Sequence, residues 1–138
     1  MKEWLGVDFD GTLAEYHGWQ GHLHMGKPIE PMVDNVKQVL AMGVEVRIFT
    51  ARCYPIVEVV TPEMSLLDLA DKYGQDVTGS KAVESVRAIR AWTNEVFGKV
   101  LPVTCVKDYG MSELWDDRAI HVIPNTGILS MPSRRNYF

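Results

Sequence analysis

Apolar and polar positions along the chain alternate between two spacings, that of a buried strand and that of an amphipathic helix. Leu5-Gly6-Val7 is a short apolar run that ends at Asp8 and reads as a buried strand opening into a loop. From Glu15 to Lys27 the periodicity disappears. Gly18, Gly21 and Gly26 punctuate a stretch carrying Tyr16, His17, Trp19, His22 and His24, which predicts a hairpin or flap (about residues 14–30) rather than a helix. Beyond Pro28 and Pro31, the apolar residues Met32, Val33, Val36, Val39 and Leu40 recur at helical spacing, so a helix is expected over Met32 to Met42 with Gly43 as its stop. Val44 to Phe49 is β-branched and strand-like, and it ends in Thr50-Ala51-Arg52.

The stretch from Cys53 to Ser80 carries the weakest pattern. Within it Ser65 can cap a short helix running through Tyr73, with Leu66, Leu67, Leu69, Ala70 and Tyr73 facing inward and Gly74 ending it. A longer helix is expected from Lys81 to Phe97, where Val83, Val86, Ile89 and Val96 interleave with charge. Val100 to Val106 then reads as a strand, interrupted by Pro102, with Lys107 at its end. Two further short strands are expected between Lys107 and Ile123, the first closing on Asp116-Asp117-Arg118 and the second spanning Ala119 to Ile123. Pro124 to Phe138, with Arg134 and Arg135, reads as a surface tail. The strand–helix–strand order predicts a mainly parallel sheet with right-handed crossovers, an α/β three-layer, Rossmann-like arrangement with the first strand central.

Composition narrows the class. A chain of 138 residues fits one domain, and 46% hydrophobic with 23% charged residues describe an ordinary globule. The net charge of −4 speaks against an electrostatic grip on nucleic acid or anionic membrane, although one local cation and a metal suffice for a phosphorylated substrate. Met1 to Trp4 lacks an apolar targeting core and no apolar run approaches ~18 residues, so a cytoplasmic, non-membrane protein is expected. Cys53 and Cys105 have no metal-ligand spacing and read as reduced packing thiols.

The chemistry concentrates where strands end. Asp8 and Asp10, one residue apart, repel each other unless a cation lies between them or one carboxyl pKa rises; a hard divalent metal is the physical expectation. An EF-hand is excluded, because Gly11 and Trp19 stand fourth and twelfth in the loop where that motif needs Gly sixth and Glu twelfth. A solvated Asp-Gly turn is the other reading of this pair taken alone. A zinc site on His17, His22 and His24 lacks a fourth ligand. Parallel pairing would carry Thr50 to the edge where Asp8 emerges, and ligands bind open α/β sheets at that edge.

Together, Asp8-Phe9-Asp10-Gly11-Thr12, the strand end Ile48-Phe49-Thr50, Lys107, and Asp116-Asp117 make the chain resemble the haloacid dehalogenase superfamily of phosphohydrolases, over about residues 3 to 123. The Asp116 to Ala119 run is similar to that of small members of the superfamily. In many relatives the lysine stands at a helix start, so Lys81 competes with Lys107 for that place. The resemblance implies a Mg²⁺-dependent phosphatase with Asp8 as nucleophile, Asp10 as general acid and base, Thr50 and Lys107 on the phosphate, and a metal held by Asp8, the backbone carbonyl of Asp10, and Asp116, with Asp117 orienting the shell. Asp10 favours phosphate esters over halides, since halide leaves without a proton.

The resemblance leaves open whether the ester is a nucleotide, a sugar phosphate or a polynucleotide end. It also admits a non-catalytic metal-binding interaction domain. Neither gap in which relatives insert a cap has room for a domain, so an open, nearly capless site is expected, covered by a large substrate or by a neighbouring subunit of a homo-oligomer. Tyr16, His17 and Trp19 on the flap, with Ala51 and Arg52 beside Thr50, are the expected leaving-group contacts.

Overall fold

A computed structural model describes residues 2–133 and 135. It is a mixed α/β structure in which four strands form one parallel sheet and three helices accompany it. The strands are β1 (Trp4–Asp8), β2 (Glu45–Phe49), β3 (Val103–Thr104) and β4 (Met111–Trp115), in the order β3-β2-β1-β4. The helices are α1 (Glu30–Ala41), α2 (Leu66–Tyr73) and α3 (Val77–Phe97). Among the described residues no helix is long and apolar enough to cross a membrane.

β1 is interior, and Trp4, Leu5, Gly6 and Val7 are all buried, as expected of a parallel strand covered on both faces. Its register sets the geometry of everything downstream. Asp8 pairs with Phe49 and Val7 with Trp115, so the residues after β2 and β4 leave the sheet on either side of Asp8. Val33 and Val36 of α1, and Ala82, Val86, Ile89 and Trp92 of α3, complete one core cluster with the sheet. Phe9, just beyond β1, meets the Trp92 ring edge-on at a centroid distance of 4.9 Å.

α1 begins two residues before the expected start, with Pro31 in its first turn, where a missing N–H costs nothing. α2 matches the expected span: Ser65 Oγ accepts from the Leu67 and Asp68 N–H groups. Leu67, however, is 78% exposed, because two positions along a helix of ~3.6 residues per turn put it on the side opposite Leu69. α3 starts four residues earlier than expected. Val77 to Ser80 is a weak helix-forming stretch, but Asp76 caps it by accepting from Gly79 N–H at 2.8 Å. Lys81 therefore lies inside the helix and not at its start.

Two strand expectations also change. The strand expected over residues 100–106 is only Val103–Thr104, flanked on its outer side by Val60, whose N–H donates to Val103 O and whose carbonyl accepts from Val103 N–H. Of the two strands expected after Lys107, only β4 joins the sheet. The other is shortened to β5 (Val122–Ile123), which pairs antiparallel with β6 (Ile128–Leu129) in a separate hairpin turned by Asn125 and Gly127, both at positive φ. The expected surface tail is thus in part a hairpin; Arg134 lies outside the described residues. Cys53 and Cys105 are free thiols, the first fully buried and the second half-buried. Burial, and then the neighbouring Cys105, push the Cys53 thiol up.

Candidate functional site

The site is built on the carboxyl edge of β1. From Phe9 to Ala14 the chain makes a tight turn in which the Phe9 carbonyl accepts from the N–H groups of Thr12, Leu13 and Ala14. Gly11 sits in it at φ +85°, and a Cβ there would lie 2.5 Å from Asp117 Oδ2. Only glycine lets the second acidic pair close this far onto the first turn. Thr12, nearly buried, joins the two: its hydroxyl lies 3.3 Å from Asp8 Oδ2 and 3.2 Å from Asp117 Oδ1, and its oxygen accepts from Asp117 N–H at 3.1 Å.

Asp8, Asp116 and Asp117 can each bring a carboxylate oxygen within 4.8 Å of the others. Burial, then the hydrogen bond to Asp117, then the charges of Asp116 and Asp117, raise the Asp8 carboxyl to about 7, opposed by the Phe9 backbone N–H. Three hard oxygens converging with this much mutual repulsion are a set that a divalent cation could bridge. Among the described residues this is the group of three that can hold a metal; His17, His22 and His24 make none. His22 Nε2 instead faces Glu84 Oε1 at 3.3 Å, and His17 and His24 are exposed.

Asp10 is placed differently. Both of its oxygens are held by Arg52, with Nε donating to Oδ2 at 2.7 Å and Nη2 to Oδ1 at 2.9 Å. Thr50, buried at the end of β2, caps the short turn Ala51–Cys53 by accepting from Arg52 N–H at 3.1 Å, and as a hydroxyl it retains a proton to donate. A cavity of about 300 Å³ is lined by Asp8, Asp10, Tyr16, Trp19, Thr50, Ala51, Arg52, Asp117 and Arg118. All but Arg118 are among the residues the sequence singled out. A second cavity of about 330 Å³ lies against the flap, sharing Asp10, Tyr16 and Arg52 with the first and adding His17, His24 and Lys27.

Lys107 and Lys81 are absent from that lining. Lys107 is exposed in the crossover between β3 and β4, next to Asp108, whose carboxylate accepts from the Trp4 indole at 2.8 Å and faces Arg47 at 3.6 Å, at the far end of β1 from Asp8. The crossover is too short for a helix and runs from one edge of the sheet to the other. Thr12 and Arg118 are the site residues the sequence reading did not assign. Both stood in quoted motifs, Thr12 after Asp-Gly and Arg118 after the closing acids, and their strand-end position was the available signal.

The flap closes on itself and on α3. Glu15 N–H donates to Lys27 O at 2.8 Å and Ile29 N–H to Leu13 O at 2.7 Å; the Trp92 indole donates to Gly26 O at 2.9 Å and Ser85 Oγ to His22 O at 3.3 Å. A Cβ on Gly26 would fall 1.9 Å from the Glu15 carbonyl. Gly26→Ala is therefore expected to open the base of the flap and cost about 1–3 kcal/mol, since the obstacle is backbone that cannot rotate away. A thermal melt within 1 °C of wild type would show that the flap is not held this way.

Comparison with family models, with curated proteins and with solved structures returns no match. The functional reading therefore stands on the residues and their geometry.

Proposed function

We propose that the chain is a phosphatase of the haloacid dehalogenase type, acting on a phosphate monoester with Mg²⁺ as cofactor and Asp8 as nucleophile. The observation that carries this reading is the register of β1 with β2 and β4, which brings Asp8, Thr50 and the Asp116-Asp117 pair to one sheet edge, with Asp10 lining the same cavity.

The chemistry follows from the groups at the cavity. A phosphate monoester resists attack because its oxygens are negative, so neutralisation and in-line placement supply most of the acceleration. Magnesium held by Asp8, Asp116 and Asp117 would supply charge neutralisation. Thr12, by holding Asp8 and Asp117 together, fixes the direction from which an Asp8 oxygen approaches phosphorus. The Thr50 hydroxyl donates to a phosphoryl oxygen, and Arg118 is the exposed cation of the cavity not committed to Asp10. An Asp8 oxygen attacks phosphorus, the ester P–O bond breaks, and Asp10 passes a proton to the departing oxygen. Water then attacks the aspartyl-phosphate, giving its proton to Asp10, and the P–O bond to Asp8 breaks to release inorganic phosphate.

Turnover of p-nitrophenyl phosphate by the purified chain with Mg²⁺ tests the reading directly. Hydrolysis is expected, and no release of p-nitrophenolate above the protein-free rate at any metal concentration would end it.

A further inference from the structure

Arg52 is committed on every side. Its guanidinium gives two hydrogen bonds to Asp10, one to His22 O (Nη1, 3.0 Å) and one to His24 O (Nη2, 3.0 Å), so four of its five N–H groups are used. The Trp19 ring lies over it, with the carbon at the centre of the guanidinium 4.9 Å from the ring centroid, and the Phe9 ring stands 5.9 Å away. Its side chain is 5% exposed although Trp19 itself is 61% exposed. A cation so engaged has a single N–H group left for any other partner. It does, however, join two things that the chain brings from distant positions: the carboxylate two residues beyond the nucleophile and the middle of the flap.

The planar fork explains why the residue is arginine. Two parallel N–H groups fix both the position and the plane of a carboxylate, while the remaining donors point the opposite way, here into the flap carbonyls. Lysine offers a point charge and cannot set that plane. The backbone of Arg52 is itself fixed, because its N–H donates to Thr50 Oγ1, so the fork hangs from the end of β2. Trp19 covers the face that would otherwise admit water to these bonds.

We propose that Arg52 is a positioning residue that sets the orientation of Asp10 toward the reacting ester and, through the same side chain, fastens the flap to the site. The catalytic half of this inference rests on the phosphatase reading; the half concerning the flap does not. Asp10 and the flap then behave as one unit. A change that frees the flap also loses the carboxylate's alignment, and a ligand that orders the flap improves it.

Arg52→Ala and Arg52→Lys test both halves. With phenyl phosphate, whose leaving oxygen takes a proton, and Mg²⁺, Arg52→Ala is expected to lower kcat about 100-fold with KM changed less than about threefold, because the lost interaction aligns a reacting group and does not hold the substrate. Arg52→Lys should recover little of the loss, whereas added guanidinium ion should recover part of it in the alanine variant. Independently of activity, chymotrypsin should cleave after Tyr16, Trp19 or Leu23 at least about tenfold faster in Arg52→Ala than in wild type, since the flap has lost its tie.

A raised KM with kcat preserved would make Arg52 a substrate cation and overturn the positioning role. Equal rescue by lysine, or no rescue by guanidinium, would overturn it as well. Unchanged flap cleavage would overturn the coupling. Wild-type protein without any hydrolysis would fail the phosphatase reading and with it the catalytic half, while the cleavage experiment still decides the flap half.

Discussion

Asp8→Asn should abolish hydrolysis of p-nitrophenyl phosphate, by at least about 10⁴-fold, while leaving the far-UV circular dichroism native-like. An amide neither attacks phosphorus nor ligates magnesium well, and its shape lets it keep a hydrogen bond to Thr12. The same substitution should change the pH dependence of stability in metal-free protein. An acid whose folded pKa is raised binds its proton more tightly in the folded state, so its contribution is full below the ordinary value near 4 and is lost as pH rises through about 7. With the solvent screening of a partly exposed group allowed for, the loss is about 1–2 kcal/mol. Wild type in chelator should therefore melt at a lower temperature at pH 8 than at pH 5 by a margin that Asp8→Asn largely removes. Retention of more than a few per cent of turnover would refute the covalent role, and identical pH profiles would refute the repulsion.

Removal of metal should have an effect as large. Excess chelator is expected to stop turnover, and Mg²⁺ to restore it. Ca²⁺ should bind and inhibit, because its longer and looser oxygen shell does not hold the octahedral arrangement that in-line attack needs. Asp117→Ala removes one of the three converging carboxylates and the partner of Thr12, so it should raise the Mg²⁺ concentration for half-activity at least about tenfold. Full activity in chelator would end the magnesium reading; an unchanged half-activity concentration would place Asp117 outside the metal's environment.

Much of the frame could be read in the chain because local and global signals agreed. α1 has helical periodicity and a proline in its first turn, α2 has Ser65 as a cap, and β1 and β2 are apolar runs whose parallel pairing follows from the helix between them. That logic brought Asp8 and Thr50 to one edge. It failed where one residue's tertiary partner outweighs its neighbours. Asp76 starts α3 on a stretch of poor helix formers, and Val60 makes a single bridge to Val103 of β3 that no periodicity announces. The β5–β6 hairpin lies in a segment that reads as a tail, because its strands are only two residues each and leave no periodicity to read.

In the site, the acids were legible by type and position; the side-chain network was not. Arg52 and Asp10 are 42 residues apart, and nothing in either neighbourhood states that one holds the other. Lys107 followed a strand in the sequence, but it lies exposed in the crossover three residues beyond β3 and does not line the cavity.

The sheet order has a consequence for how the molecule would lose its site. Asp8 hangs from β1, which is hydrogen-bonded on both sides, whereas Asp116 and Asp117 hang from β4, a border strand, of which Ser112 and Glu113 are exposed. Border strands detach at lower cost than interior ones. A partial opening that frees β4 would scatter the acidic trio while β1, β2 and the helices over them stay assembled. Inactivation would then run ahead of denaturation, and a cation bridging Asp8 to Asp116 and Asp117 would act as a rivet between an interior and a border strand of the sheet.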